Sequence, residues 1–150
     1  PAPPEGTSVF KFNPATGGYS VAQFVDGAWE GSAVTLAPGE GVFIRNSSAS
    51  AFTLTFTGEV VQSSSVALPQ GFSIASSVLP QSGSLSSQLQ FPVTEGDAVY
   101  FYNPNTGGYS IFNYIDGAWE PTEPVAQAGQ AFFLRKSAAR NWVRNFTSGT

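Results

Sequence analysis

Apolar and polar positions alternate with a period of two in several short stretches of this chain, and no long stretch repeats at the 3.6-residue spacing of a helix. Residues 8–13 (SVFKFN) and 98–103 (AVYFYN) read as strands. Their alternation assigns Phe10 and Phe12, with Tyr100 and Tyr102, to the inward face and leaves Lys11 toward solvent. The strands YSVAQFV (19–25) and YSIFNYI (109–115) follow, each entered through an Asn-Pro-x-Thr-Gly-Gly turn in which Pro fixes φ and Gly supplies φ > 0. Asp26-Gly27 and Asp116-Gly117 then predict two-residue hairpin turns of type I′, returning into Ala-Trp-Glu. GVFIR (41–45) and AFFLR (131–135) are nearly continuous apolar runs, as expected of strands covered on both faces. A fifth strand is expected around Phe52 and Phe56, and its counterpart around Trp142 and Phe146. Residues 59–68 and 71–79 are strand-like, and Leu85 and Leu89, four apart in SLSSQLQF, predict one short helix near Ser84–Gln90.

Most of these stretches occur twice. Residue n aligns with residue n + 90 without a gap from Gly6–Gly58 to Gly96–Ser148, and more than a third of the aligned positions are identical. Residues 59–95 occur once. The expected architecture is therefore all-β: a tandem duplication of a small β-barrel or β-sandwich with a 90-residue period. Copy one spans 1–58 and lacks its leading strands. Copy two, 59–150, is complete, with 59–95 as its leading segment.

Composition narrows the function. The chain has 150 residues, 41% hydrophobic, enough for a packed core. Only 11% are charged, against roughly 25% in an average soluble protein, so Ser, Thr, Asn, Gln and Gly must cover the surface. The net charge is −4 with six basic residues, which cannot track a phosphate backbone, so nucleic acid is not an expected partner. No apolar run approaches 18 residues, so no membrane insertion is expected. Cysteine, methionine and histidine are absent. Disulfides, thiolate zinc sites and a Ser-His-Asp triad are excluded. With few charges and no oxidisable sulfur, the composition fits a bacterial protein at the cell surface or outside the cell.

Few constellations carry chemistry. Asp26/Glu30 and Asp116/Glu120 are the only obvious carboxylate pairs for glycoside hydrolysis, but Asp in Asp-Gly is demanded by the turn. Calcium would need an oxygen cage, and no Asp-x-Asp-x-Asp loop is present. No catalytic residue, metal site or cofactor is expected. An intramolecular isopeptide bond would need a buried Lys beside Asn and an acid, and neither Lys11 nor Lys136 recurs in the other copy. Asn46-Ser-Ser and Asn145-Phe-Thr are glycosylation sequons. Tyr19, Trp29, Tyr109, Trp119 and Trp142 are candidates for stacking on sugar rings, although cross-strand packing accounts for the same residues.

The pattern GD-x-VY-x-YN…TGGY…Y-x-x-GAW…P…G-x-x-FF…W-x-R-x-F, over Gly96–Phe146, resembles repeats in large secreted proteins of Verrucomicrobia and related environmental bacteria. That resemblance implies an extracellular setting and brings no catalytic residue with it. The expected role is a non-catalytic structural or assembly module of a fibre, matrix or surface protein. Copy one would expose a sheet edge, to be closed by β-strand addition from a neighbouring repeat or a second molecule. The expected donor is 59–79, with Val60, Val61, Val66 and Leu68 at the contact. Carbohydrate binding on Trp and Tyr platforms is the alternative.

Overall fold

The computed structural model describes residues 2–55 and 59–145. Its strands are β1 (Ser8–Asn13), β2 (Gly18–Val25), β3 (Ala28–Gly31), β4 (Phe43–Arg45), β5 (Ser63–Leu68), β6 (Gly71–Ser76), β7 (Gly83–Ser84), β8 (Ala98–Asn103), β9 (Gly108–Ile115), β10 (Ala118–Glu120), β11 (Val125–Ala126), β12 (Ala131–Lys136) and β13 (Arg140–Asn145). The fold is all-β, and the described residues contain no helix. Two sheets dominate, β3-β2-β1-β4 and β10-β9-β8-β12-β6, with the pairs β11-β7 and β13-β5 beside them. Each sheet is open, so the barrel alternative is not realised. The chain divides into two compact units: Pro1–Ala37 with Val42–Glu59, and Pro38–Gly41 with Val60–Thr150.

The hairpins form where local chemistry dictates. Asn13 Oδ1 accepts the Ala15 N–H at 2.9 Å, the Gly17 N–H reaches the Asn13 carbonyl at 2.9 Å, and the Thr16 hydroxyl accepts the Gly18 N–H at 3.3 Å. Gly17, at φ 70°, supplies the left-handed turn. The same three bonds join Asn103, Asn105, Gly107, Thr106 and Gly108 at 2.9, 2.9 and 3.3 Å. Asp26 and Gly27 have φ of 50° and 78°, and Asp116 and Gly117 of 53° and 76°, the type I′ signature of positive φ at both central residues. Strand registers also agree at an offset of 90. Phe10 pairs with Val21 and Phe43, as Tyr100 pairs with Ile111 and Phe133.

Three expectations are corrected. First, the inward face is the opposite one. Val99 and Phe101 are buried, while Tyr102 is exposed and Tyr100 half-buried. The outer rings pack on one another instead, with Tyr102 and Tyr109 at 5.4 Å and Phe12 and Tyr19 at 5.4 Å. Both faces of the strands are apolar, so alternation alone could not choose between them. Lys11 lies on the inner side, where its Nζ donates to the Thr35 carbonyl at 2.7 Å. Second, SLSSQLQF is not a helix. The short β7 pairs with β11, and the turn after it brings both the Gln88 and the Leu89 N–H to the Ser84 carbonyl, at 3.1 and 2.9 Å. Third, among the described residues the fifth strand appears only in the second unit, as β13. β13 needs β5 as partner, and residues 51–55 form no strand. Phe56 and Phe146 lie outside the described residues.

The second unit holds the larger core. Leu68, Leu85, Leu89, Phe91, Val99, Phe101, Ala126, Phe132, Leu134 and Trp142 belong to one buried cluster drawn from all three of its sheets. In the first unit, Ala22 and Phe24 are the only fully buried apolar side chains among the described residues. The short segment Pro38–Gly41 belongs to the second unit. Glu40 bridges Ala75 on edge strand β6, and the Gly39 carbonyl accepts the Ser76 N–H at 2.8 Å. Gly39 is required there: its φ is 86°, and a methyl group on it would stand 2.3 Å from Val66 Cγ2.

Candidate functional site

The second unit shows how its inner face is closed. Val99 lies in register between Phe112 and Leu134, and the loop Gly83–Phe91 lays Leu85, Leu89 and Phe91 over this row. Polar anchors fix the loop. The Leu85 N–H donates to the Pro124 carbonyl at 2.9 Å, and the Trp119 indole N–H to the Ser86 hydroxyl at 2.8 Å. The buried Trp142 indole N–H donates to the Leu89 carbonyl at 2.7 Å. Glu123 accepts the Ser86 and Ser87 N–H groups at 2.6 and 2.7 Å and the Ser87 hydroxyl at 2.9 Å. Burial pushes the Glu123 carboxyl upward. The hydrogen bonds from Ser87 and Ser86 outweigh that effect and hold it below the usual glutamate range.

The first unit has a matching row, and no loop covers it among the described residues. Val9 lies in register between Ala22 and Ile44. An open apolar cavity of about 630 Å³ sits over it, lined by Val9, Trp29, Leu36, Val42, Ile44 and Leu54 among others. Leu134 is 0% exposed, and Ile44, 90 positions earlier, is 45% exposed. Trp119 packs against the core, and Trp29 is 49% exposed. The anchors are partly retained. At an offset of 90 in the sequence, Trp29 and Val34 align with Trp119 and Pro124, whereas Ala33 aligns with Glu123 and Phe52 with Trp142.

The second unit also contains a buried ion pair. Lys136 Nζ contacts Asp97 Oδ2, donates to the Pro92 carbonyl at 2.6 Å and lies 5.3 Å from the centre of the Phe91 ring. Asp97 accepts further bonds from the Thr94 N–H at 2.8 Å, the Ser137 N–H at 2.8 Å and the Ser137 hydroxyl at 3.1 Å. Burial pushes the Lys136 ammonium down from the usual lysine range, and Asp97 opposes that shift. Ninety positions earlier stand Thr7 and Asn46.

The residues expected to form sites fall apart into different roles. Trp142 is buried, with its ring 5.2 Å from Phe91, and cannot stack on a sugar. Trp119 is half-buried over the Gly83–Phe91 loop. Tyr19, Trp29 and Tyr109 are exposed, and burial of part of its ring raises the Tyr19 hydroxyl above the usual tyrosine value. Val60 and Val61 are exposed, but Leu68 is core and Val66 packs against it. The 59–79 segment is not a free donor strand: β5 is paired along its length with β13, and β6 with β12. Asp26, Gly27, Asp116 and Gly117 are turn residues whose amides are held. Glu5 accepts from the Asp26 and Gly27 N–H groups at 2.9 and 3.0 Å, and Glu95 from those of Asp116 and Gly117 at 2.8 and 3.3 Å. This role was visible in the sequence: Glu5 and Glu95 are identical, one position upstream of the aligned Gly6 and Gly96. Among the described residues no three Asp or Glu side chains converge as metal ligands, and no helix is long and apolar enough to cross a membrane. In comparison with known proteins, no family model matches the chain, and no curated protein and no solved structure matches it.

Proposed function

We propose that the chain is a tandem duplication of one β unit and serves as a non-catalytic extracellular structural module, joined to its neighbours by β-strand addition. The observation that carries this reading is the edge of the first sheet. β12 is flanked by β8 on one side and β6 on the other, while β4, 90 residues earlier, pairs with β1 and stands last in its sheet among the described residues. A sheet edge above an uncovered apolar face is the usual acceptor for an added strand. The scarcity of charge, 11% of residues, leaves little electrostatic protection against such pairing. Sedimentation velocity of the purified chain over a hundredfold concentration range, with negative-stain microscopy, tests the reading. Concentration-dependent oligomers or fibres that are lost in Ile44→Pro are expected, because Pro removes an N–H from β4. A monodisperse monomer at every concentration would overturn it.

Carbohydrate binding is the second reading, favoured by the exposure of Tyr19, Trp29 and Tyr109. Within its own unit each ring meets a neighbour at a steep angle, Trp29 with Phe24 at 67° and Tyr109 with Tyr100 at 88°, so neither lies flat against that neighbour. A glycan array probed with the chain and with Trp29→Ala decides it: binding lost in the variant supports sugar recognition, and an array without any binder retires it.

A further inference from the structure

We propose that the open groove of the first unit is an acceptor site for a peptide loop of the kind that Gly83–Phe91 forms in the second. The occupant is a Leu-Ser-x-x-Leu-x-Phe segment presented by another polypeptide. This deepens the assembly reading by naming the chemistry of the donor, and it places the contact on the inner face rather than only at the β4 edge.

The argument is a comparison between two halves of one molecule. The same cross-strand row, Val9 with Ala22 and Ile44 or Val99 with Phe112 and Leu134, floors both sites. In the second unit the row is sealed by Leu85, Leu89 and Phe91. In the first unit the row opens into about 630 Å³, within the roughly 300–1,000 Å³ of pockets that bury an apolar ligand. The floor is thus shaped for a cover of known composition. Two polar groups that orient the loop in the second unit have counterparts here. The Val34 carbonyl is positioned along the chain as Pro124 is, ready for the N–H of the first Leu. The Trp29 indole corresponds to Trp119, which donates to Ser86. The Trp29 indole N–H donates to no acceptor among the described residues and, on a side chain 49% exposed, is open to a bond from outside. The two missing anchors, Glu123 and the Trp142 indole, are replaced by Ala33 and Phe52. Their loss makes the first site more apolar and predicts looser binding than the covalently supplied loop enjoys. The second unit's own loop is not the free donor, because Leu85 and Leu89 are already buried in it.

The test uses the full chain, uniformly 15N-labelled, and a synthetic peptide of residues 82–93. The three tryptophan indole N–H signals are followed by NMR, with Trp29→Phe assigning that of Trp29. The expected result is saturable one-to-one binding in the micromolar range that moves the Trp29 indole and leaves Trp119 and Trp142 in place. A peptide carrying Leu85→Asp and Leu89→Asp should bind at least tenfold more weakly. Leu36→Asp in the chain should do the same, since Leu36 lines the groove outside any strand; if that variant disturbs the first unit's own spectrum, the peptide variant decides alone. No movement of the Trp29 signal at millimolar peptide would overturn the proposal, as would binding that survives both sets of substitutions. Movement of Trp119 and Trp142 instead would overturn it too, because the peptide would then only be exchanging with the second unit's own loop. The outcome is independent of self-association, since a chain that stays monomeric can still accept the peptide.

Discussion

Replacing Lys136 by Met tests how the second unit tolerates charge in its core. The Lys136 and Asp97 side chains are 0% and 1% exposed, so neither can turn to water when its partner is removed. Lys136→Met leaves Asp97 buried with its bonds from Thr94 and Ser137 but without a counter-charge. Breaking a buried pair by removing one partner costs about 3–5 kcal/mol. Removing both charges costs less, because the desolvation burden disappears with them; the first unit, with Thr7 and Asn46 at these places, carries no such pair. The double change Asp97→Asn with Lys136→Met keeps an amide oxygen for the Ser137 N–H and is expected to recover about 2 kcal/mol relative to the single variant. Urea unfolding at pH 7, followed by the fluorescence of Trp119 and Trp142 in the second unit, supplies the free energies by linear extrapolation. A cost below about 1 kcal/mol for Lys136→Met, or a double variant no more stable than the single one, would refute the claim that the pair is uncompensated when broken.

Other perturbations address the loop and the turns. Glu123 has a depressed carboxyl pKa in the folded chain, so its contribution is present above the unfolded value of about 4.3 and is lost as pH falls through the folded value. The protection of the Ser86 and Ser87 amides, taken as the free-peptide exchange rate over the observed rate at the same pH, should therefore fall on acidification below about pH 4, and Glu123→Gln should remove that dependence. Trp119→Ala should destabilise by about 3 kcal/mol, because it removes core packing and the bond to Ser86, while Trp29→Ala should cost well under half of that; thermal melts of the two variants compare them. Gly117→Val should cost on the order of 1–2 kcal/mol. Nothing lies within 4 Å of an added Cβ there, so the whole penalty is conformational, and an unchanged melting midpoint would contradict it.

What could be read from the sequence was whatever short-range chemistry determines. The Asn-Pro-x-Thr-Gly-Gly and Asp-Gly turns place their own hydrogen bonds within five residues, so strands β1, β2, β8 and β9 follow from them almost to the residue. The inward face was not legible. Phe10, Phe12, Tyr100 and Tyr102 are larger than Val9, Lys11 and Val99, yet the buried side is set by what covers it, and the cover comes from residues 83–91. Nor does Leu85 four residues before Leu89 reveal that Ser84 pairs in β7 with β11, or that Glu123, some 36 positions away, binds the Ser86 and Ser87 amides. The Lys136–Asp97 pair was not legible either: both residues differ from their counterparts Asn46 and Thr7, but so do most aligned positions, and the two stand 39 residues apart.

The glutamate clamps on the two Asp-Gly turns bear on how long such a molecule lasts. Among aspartyl dipeptides Asp-Gly is especially prone to spontaneous cyclisation, in which the glycine amide nitrogen attacks the aspartate side-chain carbonyl with loss of water and the succinimide is later re-opened as isoaspartate. In both turns that nitrogen is engaged: Gly27 N–H by Glu5 at 3.0 Å and Gly117 N–H by Glu95 at 3.3 Å. Attack requires the clamp to release and the positive-φ turn to open, so chemical ageing at Asp26 and Asp116 is tied to local unfolding rather than to time alone. A chain with no cysteine or methionine to oxidise has few other sites of covalent damage. The acid that sets the turn's shape thus also sets its chemical lifetime, and loss of Glu95 should appear as isoaspartate at Asp116 long before it appears as a change in fold.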